Sequence, residues 1–283
     1  MAARHADAAR GRPDDSASGA ADRSAVLAPQ RQARILDKVR RTGGVRVREL
    51  TRLFGVSDMT IRRDLDVLAR QGLVAKVHGG ATVADRPSTE EPTFESKSLR
   101  EQAEKEAIAA RAAELVQPGA AIGLTAGTTT WTLARLLVDV PRLTVLTNST
   151  RVADVFHVQQ RPDRTVILTG GIRTPSDALV GPVAVATIQA LHVDLLFMGV
   201  YGIERRAGLT TPNLMEAETN RALAESARRL VVVADHTKWG VVGLSRIAEL
   251  RDVDVLVTDG GLDADASDAL TERVGELVRA DSG

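Results

Sequence analysis

Thr60, Arg62 and Arg63 fall within four residues of one another in the run SDMTIRRDLDVLARQG. Two guanidinium groups beside a hydroxyl are the groups that neutralise phosphates and read base edges. Four more clusters of small polar residues lie downstream: Ala126-Gly127-Thr128-Thr129-Thr130, Thr147-Asn148-Ser149, Thr169-Gly170-Gly171 and Asp235-His236-Thr237-Lys238. Glycine lets backbone approach a ligand closely. Threonine hydroxyls and the free N–H groups that open a helix together hold a phosphate. Each cluster also has a blander reading. A GTTT turn can simply cap a helix, Gly170-Gly171 can be only a tight turn, and Asp235 with Lys238 can be a surface pair worth about 0–1 kcal/mol. Glu216 and Glu218 open a helix, where carboxylates suit the dipole in any case. His236 has no partner at metal-ligand spacing and reads as a loop histidine, and no metal or cofactor is expected.

The arginines need a rigid helix beneath them. Leu50, Leu53 and Phe54 recur at i, i+3 and i+4, so a helix starts near Val47, and Gly55 follows its last apolar pair as a cap. Ser57 or Asp58 can cap the next helix. Its residues Ile61, Leu65 and Leu68 face inward, leaving Thr60, Arg62, Arg63 and Asp66 outside, and Gly72 stops it. A strand over Leu73–Val77, a tip at His78-Gly79-Gly80 and a partner strand near Val83 follow. An earlier helix, Gln32–Arg41, buries Ile35, Leu36 and Val39. Two short helices and a basic ribbon in this order are a winged helix-turn-helix, a fold that enters a DNA groove.

Charge separates this reading from an ordinary small helical domain. Gln30–Arg86 holds 13 basic and 6 acidic residues, a net of +7, whereas Pro87–Gly283 holds 20 and 27, a net of −7. The overall net charge of zero hides this asymmetry. A cationic segment suits phosphate neutralisation, and an acidic remainder stays off the duplex. There is no cysteine, hence no disulfide framework or thiolate site. No apolar run approaches 18 residues, so no membrane span is expected. The first 24 residues lack the apolar core of a secretory signal, which makes the cytoplasm the expected compartment. Two Trp, one Tyr and four Phe are too few for stacking platforms on single-stranded nucleic acid. Four parts are expected: a disordered tail over 1–29, a DNA-binding domain over 30–84, a Pro-containing linker over 85–98 and a second domain over 99–283.

The second domain alternates helix and strand. Helix EQAEKEAIAARAAELV, with Ala107, Ile108, Ala112 and Leu115 as its buried face, ends at Pro118-Gly119. Strands are expected at 121–125, 143–147, 165–169, 195–200, 230–234 and 255–258, and helices at 130–137, 151–158, 183–191 and 216–227. The strands are continuous apolar runs, as in a sheet covered on both faces. The order predicts an open, mainly parallel α/β sheet whose ligands bind at the carboxyl ends of the strands. The polar clusters all fall at such ends, with Gly199 and Gly202 after a further strand.

The run SDMTIRRDLDVLARQGLVAKVHGGA resembles the N-terminal signature of the DeoR family of bacterial transcriptional regulators. The resemblance places Ser57, Thr60, Arg62 and Arg63 on the recognition helix and Lys76, His78 and Gly79 on the wing. Asp64 is expected to orient an arginine or cap a neighbour, because phosphates repel a carboxylate. Arg62 and Arg63 diverge by about 100°, so one is expected to meet DNA and the other to pair with a carboxylate or phosphate at the domain edge. The second half follows the family's sensor domain through EKEAIAARAAELVQPGAAIGLTAGTTT, VLTNS, LTGG, VGPVA, GLTTPNLMEAE and ADHTKWG. That domain is similar in fold to ribose-5-phosphate isomerase and glucosamine-6-phosphate deaminase. The resemblance implies a phosphate near Gly127, Thr128, Thr129 and Thr130, a pocket lined by Asn148, Gly170 and Gly171, and Asp235 and Lys238 near the sugar. Two positions depart from the pattern. Thr125 stands where the family usually has an aspartate, which removes an acceptor for a sugar hydroxyl, and Arg221 stands near a usual lysine.

The expectation is a sequence-specific DNA-binding regulator, a repressor of carbohydrate-metabolism genes whose operator affinity answers to a phosphorylated sugar. It would act as a homodimer or higher homo-oligomer, because one helix-turn-helix reads few base pairs. The alternatives are a sugar-phosphate isomerase or deaminase with a DNA-binding appendage, and a ligand-independent regulator or activator. Isomerases of this fold place acidic residues after the strand that here ends FMGVYG, and no carboxylate occurs between Asp194 and Glu204. The enzyme reading therefore lacks its base.

Overall fold

The computed structural model describes residues 27–42, 44–77, 79–83, 93–98, 100–159 and 161–280. It divides into two units, the first ending at Asp85 and the second starting at Arg86. In the first unit, α1 (Ala28–Thr42), β1 (Gly44–Arg46), α2 (Val47–Phe54), α3 (Asp58–Arg70), β2 (Val74–Val77) and β3 (Gly80–Val83) follow in order. The strands form an antiparallel sheet in the order β1-β3-β2. Ile35, Val39, Val47, Leu50, Ile61, Leu65 and Leu68 make its core. One expected core residue is outside: Leu53 is 58 % exposed, and Val47, three residues before Leu50, takes the inner position. Gly55 ends α2 with φ +65°, and its N–H bonds Thr51 O at 3.0 Å. Gly80 lets β3 pass β1, because a Cβ there would stand 2.0 Å from Val45 O.

In the second unit, the part expected to be linker contains α4 (Phe94–Ser98). Phe94 forms it by burying its ring against Trp131. Then come α5 (Gln102–Ala113), β4 (Ala121–Leu124), α6 (Thr128–Leu136), β5 (Thr144–Thr147), α7 (Thr150–Val158), β6 (Thr165–Leu168), β7 (Ile172–Arg173) and β8 (Leu179–Val180). They are followed by α8 (Pro182–Gln189), β9 (Val193–Met198), β10 (Gly202–Glu204), β11 (Gly208–Thr211), α9 (Leu214–Glu225) and β12 (Ala227–Val233). The last elements are β13 (Ser245–Ala248), β14 (Val255–Asp259), α10 (Ala264–Thr271) and β15 (Glu276–Ala280). Seven strands form a parallel sheet in the order β15-β14-β12-β9-β4-β5-β6. Two apolar layers sandwich it, one on α5, α6 and α7 and the other on α8 and α9. That covering on both faces is why the central strands read as unbroken apolar runs.

The chain enters this sheet at β4, near its middle. It runs outward through β5 and β6 on one side and then through β9, β12, β14 and β15 on the other. Strand order therefore reverses between β4 and β9, the kind of crevice in which open α/β sheets take ligands.

Candidate functional site

On the first unit, Ser57 caps α3. Its Oγ accepts from Thr60 N at 3.2 Å and lies 2.9 Å from Thr60 Oγ1. Arg62 and Arg63 are exposed. Arg62 Nε donates to Asp58 Oδ2 at 3.0 Å one turn back, while Arg63 has no partner among the described residues. An exposed pair such as Arg62–Asp58 is worth about 0–1 kcal/mol and exchanges readily for a phosphate. Lys76 pairs with Asp66, tying the base of the wing to α3, and that contact holds the Asp66 carboxyl below its ordinary range. Gly79 has φ +77° at the wing tip. His78 lies outside the described residues. Asp64 is only 3 % exposed and accepts from Arg31 Nε at 2.6 Å and Gln32 Nε2 at 2.9 Å, so it anchors α1 to α3. Three further cations, Arg46, Arg48 and Arg52, are exposed around α2.

On the second unit, parallel pairing brings the loops after β4, β5, β6, β9, β12 and β14 to one sheet edge. The loop after β4 lies beside that after β9: a Cβ on Gly127 would stand 3.9 Å from Gly199 Cα. Much of its polarity is spent on shape. Thr125 Oγ1 accepts from Gly199 N at 3.1 Å, and Thr130 Oγ1 donates to Thr125 O at 2.7 Å. Asn148 Oδ1 accepts from Ala126 N at 2.9 Å, and its Nδ2 donates to Leu179 O at 3.2 Å. Thr128 and Thr129 are different. Neither hydroxyl has a partner among the described residues, and both stand in the first turn of α6, where N–H groups lack helical acceptors. Gly171, at φ +119°, is a close-approach residue, because a Cβ would stand 2.5 Å from Val180 O; Gly170 beside it has φ +70°.

The loop after β12 lies two strand positions from that after β4, about 10 Å away. Asp235 is 3 % exposed and does not pair with Lys238. Its carboxylate accepts from Thr237 N at 3.1 Å and from Thr237 Oγ1, capping the turn His236–Lys238. The Lys238 ammonium has no hydrogen bond or ion pair among the described residues.

Two features here were not expected from sequence. Lys105 of α5 is buried, and desolvation depresses its pKa to about 8, with Asp235 acting upward and Lys238 downward. The signal was present: Lys105 sits three residues before Ile108, on the buried stripe of an amphipathic helix. His236, read as a loop residue, is fixed by Asp259 at the end of β14. Its Nδ1 lies 2.7 Å from Oδ2, and its backbone N donates to Oδ1 at 2.7 Å. The hydrogen bond that His236 donates to the Asp259 carboxylate raises the imidazole's pKa against the opposing effect of burial.

A cavity of about 690 Å³ lies elsewhere, beside the starts of β14 and β15, among Arg205, Arg246, Arg251, Glu249 and Glu272. Its carboxylates already pair with Arg251 at 2.9 Å and Arg205 at 3.4 Å. Arg206 and Arg273 line it as well, so five arginines face two glutamates in a cavity that lies away from the switch point. Among the described residues, no cluster of metal-ligating side chains occurs, and no helix is long and apolar enough to cross a membrane.

Residues 31–87 match the DeoR-like helix-turn-helix domain, and residues 100–260 match the DeoR C terminal sensor domain. The putative aga operon transcriptional repressor of Escherichia coli O157:H7 is 35% identical over 252 residues, which cover 88% of this chain and 93% of the relative. The HTH-type transcriptional regulator GlpR of Haloferax volcanii is 37% identical, covering 87% and 95%. The glycerol-3-phosphate regulon repressor of Escherichia coli K12 is 32% identical, covering 86% and 95%. Among solved structures, ribose 5-phosphate isomerase A of Methanocaldococcus jannaschii is similar with TM-score 0.35 at 18% identity, over 48% of this chain and 53% of that one. For eIF2B delta of Chaetomium thermophilum the values are 0.43 and 12%, over 81% and 71%. Both domains are matched in order, and the relatives align over nearly their whole length; the chain belongs to the DeoR family of transcriptional regulators.

Proposed function

We infer that this chain is a transcriptional repressor whose affinity for operator DNA is set by a phosphorylated sugar or related polyol phosphate. One observation carries the effector half: at the crevice where strand order reverses, Thr128 and Thr129 offer hydroxyls that have no partner among the described residues. In this reading Gly127, Thr128, Thr129 and Thr130 cradle the phosphate, with the first N–H groups of α6 as donors. Lys238 supplies a cation, and Asp235 positions the turn that carries it. Asn148, Gly170 and Gly171 hold the rim in shape. Relatives named as repressors of the aga operon and of the glycerol-3-phosphate regulon support the repressor sense and the phosphorylated class of ligand.

On the DNA half, Thr60 and Arg63 read or grip the duplex from α3, with Arg62 exchanging Asp58 for a phosphate. Ser57 fixes the first turn, and Lys76, His78 and Gly79 form the wing. A homodimer would place two such helices on repeated half-sites.

The experiment is a fluorescence-anisotropy titration of the protein on its own upstream DNA, repeated with a panel of sugar phosphates. One of them is expected to change operator affinity by roughly 5- to 150-fold. Arg62→Ala and Arg63→Ala are expected to weaken DNA binding and leave sugar-phosphate binding intact, whereas Thr128→Val with Lys238→Ala does the reverse. DNA affinity unchanged in both arginine variants would remove the recognition-helix assignment. A full effector response in the double variant would move the pocket elsewhere.

A further inference from the structure

The first described element after residues 84–92, which join the two units in sequence, is bound to the same elements that form the proposed effector site. Phe94 of α4 meets Trp131 edge-on, with ring centroids 5.9 Å apart. Trp131 directly follows Thr128-Thr129-Thr130. Arg151 of α7 lies over the Phe94 ring at 5.0 Å and bonds Glu95 at 2.6 Å, and α7 begins two residues after Asn148. The carboxyl end of α4 is held from α5. Lys105 Nζ donates to Lys97 O at 2.7 Å and also to Arg100 O. The next residue, Glu101, has φ +46°, an uncommon conformation for a residue with a side chain that persists where surrounding contacts hold it.

An ammonium has three N–H donors. Lys105 spends two on carbonyls, and no acceptor for the third occurs among the described residues. Of the two carboxylates that act on it, Asp235 acts more strongly than Glu101, and Asp235 already accepts from Thr237. Lys105 is therefore a cation at 5 % exposure with no carboxylate bonded to it. It lies within electrostatic reach of Asp235 and Lys238, which the effector reading sets beside the ligand, and its helix α5 packs on α6, whose first turn carries Thr128 and Thr129. Burying a charge in that state is costly, and an incoming anion removes the deficit.

We propose that Lys105 links effector occupancy to the linker. Its third N–H takes a phosphate oxygen of the bound effector while the other two keep the carbonyls of Lys97 and Arg100. The ligand thus fastens the carboxyl end of α4 to the sheet edge. This inference rests on the effector reading above and adds the residue through which binding is felt at the start of the second unit. A phosphate is a stronger acceptor than a carbonyl and charge-assisted bonds are short, so the shared ammonium stiffens the backbone at Lys97 and Arg100 when the ligand is present.

Hydrogen exchange on the full-length protein tests it, with peptides covering residues 93–101 followed with and without inorganic phosphate, glycerol 3-phosphate and a panel of sugar phosphates. Calorimetry records which of these bind. For a bound ligand, exchange at 93–101 is expected to slow roughly ten-fold. Lys105→Met is expected to exchange fast there in both states and to lose the operator response, whereas Lys105→Arg, which keeps the cation, retains part of it. If a ligand that binds leaves exchange at 93–101 unchanged or faster, the link through Lys105 is refuted and the effector reading stands. The same holds if Lys105→Met binds and responds like the parent. If nothing in the panel binds the parent protein, the effector reading falls and this inference falls with it. The parent's exchange decides the matter even if Lys105→Met fails to fold.

Discussion

Replacing Asp64 with alanine should unfold the DNA-binding unit and leave the second unit standing. Asp64 lies in the middle of the recognition helix, where a carboxylate is a liability toward phosphate. Its value is internal. Its side chain and that of Arg31 are 5 % and 10 % exposed, with Nε–Oδ2 at 2.6 Å, and Gln32 adds a second bond at 2.9 Å. Removing one partner of such a buried pair costs roughly 3–5 kcal/mol, because the other charge stays buried without compensation. A unit of some 56 residues has roughly 3–8 kcal/mol to lose, at roughly 0.05–0.15 kcal/mol per residue. The substitution therefore consumes most of it. Tryptophan fluorescence cannot follow the loss, since both tryptophans, Trp131 and Trp239, lie in the second unit. Hydrogen exchange of the α1 and α3 amides can, and it should accelerate by roughly two to four orders of magnitude. Operator binding should fail while the tryptophan melting profile is unchanged. The paired substitution Arg31→Met with Asp64→Leu should restore slow exchange, because an apolar pair of similar volume carries no desolvation cost. Acceleration of less than about three-fold in Asp64→Ala, under 1 kcal/mol by the same conversion, would show that the pair is not what joins α1 to α3.

Three further outcomes can be checked on the second unit. Asp259 raises the pKa of His236, so the stabilisation from that pair is complete below the ordinary value of 6.5 and is lost as pH rises through the raised value. The lowered Asp259 carboxyl contributes separately, above its ordinary 3.8, and loses that contribution in acid. Melting temperature should accordingly fall as pH rises above 6.5, and His236→Asn should flatten that slope; an equal slope in the variant contradicts the assignment. Thr125→Val leaves Gly199 N–H without its 3.1 Å acceptor and should cost about 1–3 kcal/mol, read by urea unfolding; a loss within error would mean water replaces the hydroxyl. Phosphate binding beside Lys105, whose pKa is depressed to about 8, should take up as much as about half a proton at pH 8. Titrations in two buffers of different ionisation heat measure this, and equal heats would place the anion away from Lys105.

The helices and central strands were legible because periodicity is a direct image of burial. Ile61, Leu65 and Leu68 could face only one way, and VLVTD or LLFM could sit only inside a two-sided sheet. Several short strands escaped for one reason. β7 and β8 span two residues each, too few for any period, and β10, β11 and β13 are short strands of mixed polarity held by neighbours distant in sequence. Leu53 misled because three apolar residues on two turns offer more than one inward stripe. α4 was hidden by the polar, Pro-containing stretch before it, since its one anchor, Phe94, needs Trp131 from another helix. Lys105 was missed for a different reason. A lysine on an apolar stripe looks like noise until its acceptors, the carbonyls of Lys97 and Arg100, are brought to it.

Those acceptors also show how the polar residues of the sheet edge divide their work. Sequence treats Thr125, Thr128, Thr129, Thr130 and Asn148 alike, as small polar groups near a strand end. Folding separates them by what they have left to give. Thr125, Thr130 and Asn148 place their hydrogen bonds on Gly199, Thr125 O, Ala126 and Leu179, so they build the crevice and have little to offer a ligand. Thr128, Thr129, Lys238 and the third N–H of Lys105 carry donor capacity that no described residue uses. Every one of those spare groups is a hydroxyl or a cation, and no carboxylate shares that unspent state, because Asp235 and Asp259 are committed to Thr237 and His236. The proposed effector reading rests on this division: two hydroxyls and two cations can all donate to an anion, and the first N–H groups of α6 can meet its further oxygens. Thr125, where the family usually has an aspartate, gives its oxygen to Gly199 N–H and so ties the loop after β4 to that after β9.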